Sequence, residues 1–104
     1  MHRFAHVGIP TIFKHENETY VELFDVYATE PEGNPYSVEY LRFMPETRIP
    51  DIITKQNHVA YYTDDLDAAI DGEQIVLAPL RVSETRRMSY ILKDSLLVEL
   101  IEDK

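Results

Sequence analysis

The stretch HVGIPT at residues 6–11 returns as HVAYYT at residues 58–63. In both, histidine is followed by valine and the sixth position is threonine. A second match lies downstream, where Val38-Glu39 in the last apolar run of the first half corresponds to Val98-Glu99 in the last run of the second. Self-similarity of this kind marks a duplicated supersecondary unit whose copies share one way of burying an apolar face. The copies are not equal in length: 33 residues separate His6 from Glu39, and 41 separate His58 from Glu99. The first unit is therefore expected to be trimmed.

The segments between these landmarks read mainly as strands. RFAHVGIPT, TYVELFDVYAT and SVEYLRFM are rich in β-branched and aromatic residues, and PEGNP at 31–35 supplies turn residues between the last two. Pro45 and Pro50 break the chain into a linker around DIITKQ. After NHVAYYT comes TDDLDAAIDG, a short helix with Asp64 or Asp65 as its cap and Gly72 at its end. EQIVLAP, RMSYILK and SLLVELIE read as three further strands, the last two joined by a tight turn at Asp94 and Ser95. One domain over residues 1–104 is expected, with a first unit at 1–48, a linker at 49–56 and a second unit at 57–104. The long helix has no room in the first unit, where Pro10 and the polar KHENE patch stand, and a strand is also expected to be missing there.

Side chains alternate across a strand, so Glu99 shares a face with Leu97 and Ile101 while Val98 and Leu100 point the other way. Both faces are apolar, and an ionised carboxylate withdrawn from water costs several kcal/mol unless something compensates it. This glutamate must be edge-exposed, protonated, paired with a base or bound to a cation. Glu39, on the face of Leu41 and Phe43, raises the same question. His6 and His58 stand at matched places in the opening strands. Should the two halves pack about a pseudo-twofold axis, two imidazoles and two carboxylates converge, a donor set that suits zinc, nickel, manganese or ferrous iron. The alternative is a set of satisfied polar groups in a β core.

At these residues the sequence resembles the vicinal oxygen chelate superfamily, which contains glyoxalase I, the extradiol dioxygenases and the fosfomycin- and bleomycin-resistance proteins. HVAYYTDDLDAAIDG is similar to that family's strand-then-helix opening, LKDSLLVELIEDK to its closing strand with a glutamate, and HVGIPT with VEYLRF extends the likeness over most of the chain. The resemblance implies an α+β fold, with paired βαβββ-type units forming a curved mixed sheet around a divalent metal ion. It implies His6, Glu39, His58 and Glu99 as metal ligands, with Glu99 first and Glu39 second as the catalytic base that moves a proton beside a metal-chelated carbonyl. A compact glyoxalase-like lyase or isomerase acting on a small oxygenated metabolite is the function so implied, with a homodimer as the assembly. A metal-free module that sequesters a ligand, as bleomycin-resistance proteins do, is the alternative, and a structural or regulatory subunit is a third.

Two other residues are candidate substrate contacts: Tyr62, on the face of His58, and Arg42, which points opposite Glu39. His2 and His15 fall in terminal and loop positions outside the site. A net charge of −9 repels phosphate backbones and anionic lipid surfaces, so nucleic acid and membranes are not expected partners. No cysteine is present, which removes disulfides and thiol chemistry, and only three glycines are present, with no phosphate-cradling loop among them. MHRFAHVGIP lacks the apolar core of a signal peptide, so a cytoplasmic location is the expectation.

Overall fold

The structure is a computed structural model and describes residues 2–104. Its backbone contacts divide the chain into two compact units, one comprising His6–Asn57 and the other His58–Lys104 together with the residues up to Ala5. The fold is strand-rich, with two short α-helices among the described residues. No helix among them is long and apolar enough to cross a membrane.

In the unit His6–Asn57 the strands are β1 (Arg3–Pro10, of which the part from His6 belongs here), β2 (Thr19–Val21), β3 (Val26–Ala28) and β4 (Val38–Phe43), in the sheet order β2-β3-β4-β1. β1 and β4 run parallel, while β3 is antiparallel to both β2 and β4. Four strands are thus present where the short first unit was expected to lack one. TYVELFDVYAT forms a hairpin, not a single strand, because Glu22–Phe24 closes a 3-10 turn and Asp25 reverses the chain at φ 51°. Asp25 tolerates this left-handed conformation better than a β-branched residue would. The linker around DIITKQ also carries structure: Asp51–Lys55 is helix α1, with Ile53 buried.

No helix follows β1. The segment after Pro10 is instead a strap of bends and a turn, and its polar residues bind the face of β4 that points away from Glu39. The His15 ring stacks on Tyr40 with centroids 4.5 Å apart. Glu18 is bound through two hydrogen bonds from the Arg42 guanidinium, which itself lies 4.5 Å from the centre of the Tyr27 ring. KHENE therefore does the covering that an amphipathic helix does elsewhere, with charge and aromatic stacking in place of an aliphatic stripe.

The unit containing His58–Lys104 has β5 (His58–Tyr62), α2 (Leu66–Ile70), β6 (Gln74–Arg81), β7 (Arg86–Lys93) and β8 (Leu96–Asp103), in the sheet order β5-β8-β7-β6. β5 and β8 are parallel, and the other pairs are antiparallel. Asp65 caps α2 by accepting the Ala68 backbone N–H at 3.2 Å, as the DDLD run suggested. Leu66 and Ile70, four residues apart, put one face of α2 onto Ile91, Val98 and Leu100, with Val59, Tyr61 and Ala69 around them. Burying each of those two aliphatic side chains contributes about 1.5–3 kcal/mol. Asp94 and Ser95 both take positive φ, the two-residue turn that sets the β7–β8 register. β6 is the outer strand, and two register shifts and Pro79 interrupt it, features that keep a sheet edge from templating another chain.

Candidate metal centre

In the β1–β4 ladder Val7 stands opposite Val38 and Gly8 opposite Glu39. In the β5–β8 ladder Val59 stands opposite Val98 and Ala60 opposite Glu99. The register is the same in both. Each unit's histidine sits two residues before the position facing the glutamate, hence on the same face. Side-chain contact follows in each: His6 Nε2 lies 3.4 Å from Glu39 Oε1, and His58 Nε2 lies 3.2 Å from Glu99 Oε1. The sequence repeat is thus a repeat of a histidine–glutamate pair on parallel neighbouring strands.

The two pairs differ in how tightly they are held. The His58 side chain is fully covered and Glu99 retains 11% of its exposure, whereas His6 retains 10% and Glu39 23%. Around Glu99 the ladder is complete, with Ala60 on one side and the buried Tyr90 on the other. The Tyr90 ring also meets His58 at right angles, with centroids 5.0 Å apart. Glu39 has Gly8 on its β1 side, and the β3–β4 register ends at Ala28 and Leu41, short of it. The last bonds from that side run between Thr29 and Tyr40.

Within either unit the contact sets an imidazole nitrogen beside a carboxylate oxygen, both withdrawn from bulk water. These are the donor types that first-row divalent ions accept. The same groups also compensate each other as an ion pair when the histidine is protonated, which answers how a glutamate is tolerated between aliphatic neighbours.

Of the two further candidates, Tyr62 follows His58 on its face of β5 and is approached by two guanidinium groups, Arg3 at 5.6 Å and Arg86 at 5.8 Å from the ring centre. Arg86 in turn grips Asp103 through two hydrogen bonds of 2.6 and 2.9 Å, which raise its own pKa and hold the Asp103 carboxyl below the usual range. Arg42 is committed to Glu18 and Tyr27, and its bond to Glu18 lowers that carboxyl's pKa. Neither Tyr62, Arg42 nor any of the four histidine and glutamate residues lines the open groove of about 660 Å³ bounded by Pro10, Phe13, Phe43, Met44, Asp51 and Lys55. Tyr90, which touches His58 and faces Glu99, is the residue that sequence reasoning passed over.

No family model matches the chain, and no curated protein does. Among solved structures it is similar to the crystal structure of a hypothetical protein from Bacillus halodurans C-125, with a TM-score of 0.69 and 15% identity, over 99% of this chain and 95% of that one. At that identity the likeness is one of fold.

Proposed function

We propose that the chain is a metal-dependent enzyme of the glyoxalase type, which moves a proton next to a carbonyl of a small oxygenated metabolite. In this reading His6, Glu39, His58 and Glu99 are ligands of a divalent ion, and the two units are βαβββ-type modules of the vicinal oxygen chelate superfamily, the first with its helix replaced by a strap. The observation that carries the reading is the identical register of the two histidine–glutamate pairs. A satisfied polar contact in one unit needs no counterpart in the other; a ligand set assembled from a duplicated unit does. Two neutral imidazoles and two carboxylates also fit the coordination preference of zinc, nickel, manganese or ferrous iron.

When bound, such an ion polarises the carbonyl it chelates and makes the adjacent C–H acidic. The chain's own part is to supply a carboxylate that takes up that proton and releases it again. Tyr62 is assigned to the substrate pocket because it lies on the same face of β5 as His58. A homodimer belongs to the same reading, and sedimentation of the purified chain at the mass of a monomer would remove it.

Elemental analysis of protein purified without an affinity tag tests the reading. One equivalent of a divalent metal per chain is expected, lost in the His6→Ala, His58→Ala double variant and lost also in either single variant. Retention of half the metal in a single variant would instead indicate two independent weak sites. A wild-type chain that takes up no nickel, zinc, manganese or iron would favour the metal-free sequestering module.

A further inference from the structure

The geometry points to a separate ligand site, built without any of the four histidine and glutamate residues: the groove of about 660 Å³ in the unit His6–Asn57 takes a free α-amino acid with a large apolar side chain. This does not depend on the metal reading. The volume lies within the range of small-molecule sites.

Apolar side chains reach the groove from two segments. Pro10, Ile12 and Phe13 come from the end of β1 and the start of the strap, and Phe43, Met44 and Pro45 from the end of β4. Ile12 and Phe13 keep 86% and 71% of their exposure, two large neighbouring side chains left in water beside a concave apolar surface. Such a patch marks a binding surface. The backbone that presents it is held in place. The Thr11 N–H donates to the Leu41 carbonyl at 2.8 Å, and the Phe13 N–H donates to the Thr11 hydroxyl oxygen at 3.1 Å. In the other segment the Met44 N–H donates to the Asp25 carbonyl at 2.9 Å, and the Thr47 hydroxyl donates to the Phe24 carbonyl at 2.7 Å. Fixed walls reduce the ordering cost of binding.

The charged residues of the lining are Asp51 and Lys55. They stand one turn apart on α1, on the face that also carries Thr54 and away from the buried Ile53. The Thr54 hydroxyl is committed to the Asp51 carbonyl at 3.0 Å, so recognition falls to the two charges. Lys55 Nζ lies 3.7 Å from the Asp51 carboxylate, beyond hydrogen-bonding distance, and the two side chains are 75% and 89% exposed. A pair so loose and so well screened loses little when each partner takes a new counter-ion. The complementary ligand carries an ammonium and a carboxylate close together, with an apolar group attached. An aromatic or long aliphatic α-amino acid meets these conditions, with its ammonium at Asp51, its carboxylate at Lys55 and its side chain among Ile12, Phe13, Phe43 and Met44. Being neutral overall, it is not turned away by the net charge of −9, which disfavours a purely anionic occupant.

The chain contains no tryptophan, so L-tryptophan serves as its own fluorescent probe. A saturable blue shift of its emission is expected with the full chain, reversed by L-leucine or L-phenylalanine. Tryptamine lacks the carboxylate and indole-3-propionate the ammonium, and each is expected to bind about two- to fivefold more weakly, the scale of one exposed ion pair. Lys55→Gln should weaken L-tryptophan by the same factor and tryptamine not at all, and Asp51→Asn should weaken L-tryptophan but not indole-3-propionate. The Ile12→Ser, Phe13→Ser double variant should abolish the shift. All of these side chains are exposed, so the variants are expected to fold, which thermal melts verify. Absence of a saturable shift, or indole-3-propionate binding as tightly as L-tryptophan, would overturn the assignment. So would a wild type that sediments as a dimer and becomes a monomer in the serine variant, since a second copy of the chain would then fill the groove.

Discussion

The Glu102 carboxylate accepts the backbone N–H of Leu66 at 2.8 Å, joining the last strand to the first residue of α2 across 36 positions of sequence. The helix is only five residues long, too short to persist by its own hydrogen bonds, so a remote carboxylate at its start supplements the local Asp65 cap. Arg87 binds the same carboxylate at 3.1 Å, and Lys104 lies 3.6 Å away. The Leu66 N–H is the leading cause, followed by Arg87, of a Glu102 pKa held down to about 2 from the ordinary 4.5. A depressed carboxylate stabilises the folded state above the unfolded pKa and loses that effect as pH falls through the folded one. Glu102→Ala is therefore expected to cost about 1–3 kcal/mol at neutral pH, through the unmet Leu66 N–H, measured by urea denaturation. The deficit should shrink as pH is lowered from about 4.5 towards 2, and a deficit constant over that window would contradict the linkage.

Arg42 and Glu18 provide a second prediction, because their pairing holds the strap against β4. Arg42→Ala should raise amide exchange across residues 11–18 and lower the melting temperature. Glu18→Ala should do the same, and the double variant should be little worse than either single one, as for residues acting through one contact. If Arg42 were instead free to serve a ligand, its removal would leave exchange in the strap unchanged.

The register of the second unit was largely readable in advance. A two-residue turn at Asp94 and Ser95 pairs Lys93 with Leu96, and counting outward places Tyr90 opposite Glu99. That count was open to the sequence reading and would have found Tyr90. The capped helix at Leu66–Ile70 and the face shared by Leu97, Glu99 and Ile101 were equally legible, because capping and alternation are local rules. The first unit was less so. Its hairpin depends on Asp25 accepting a left-handed backbone inside an otherwise continuous apolar run, and its covering strap depends on the contact between Glu18 and Arg42, 24 residues apart. Neither leaves a periodic trace. Proline at 45 and 50 marked a break correctly but hid α1, since a proline just before a helix starts one as readily as it ends another.

Gly72 closes the turn between α2 and β6 at φ +78°, in open space where an added methyl would meet nothing within 4 Å. Any penalty on replacing it is then conformational and not steric crowding by neighbours. Gly72→Ala should destabilise the chain by about 1 kcal/mol, and Gly72→Asn by less, because asparagine enters the left-handed region more readily. Chemical denaturation of the two variants separates these values. An alanine variant as stable as wild type would mean that the turn relaxes to another conformation.

Tyr90 bears on the candidate site directly, since its ring both faces Glu99 and packs at 84° to the His58 imidazole. Two functions of the side chain can be separated by substitution. Tyr90→Phe keeps the ring and its packing while removing the hydroxyl, and Tyr90→Leu keeps apolar volume while removing the flat surface against which the imidazole is oriented. If the ring positions His58, Tyr90→Phe should retain cobalt(II) affinity within about threefold and Tyr90→Leu should lose about 10-fold or more, the scale on which outer-shell partners of ligating histidines act. The visible spectrum of bound cobalt should shift in the leucine variant, reporting altered ligand geometry that a purely structural role in the core would not produce. Melting temperatures of the metal-free forms guard against the simpler explanation, because replacing a buried aromatic by leucine also costs packing energy. A leucine variant that is destabilised yet binds cobalt with wild-type affinity and spectrum would reduce Tyr90 to a core residue, leaving His58 to be oriented by Glu99 and the strand alone.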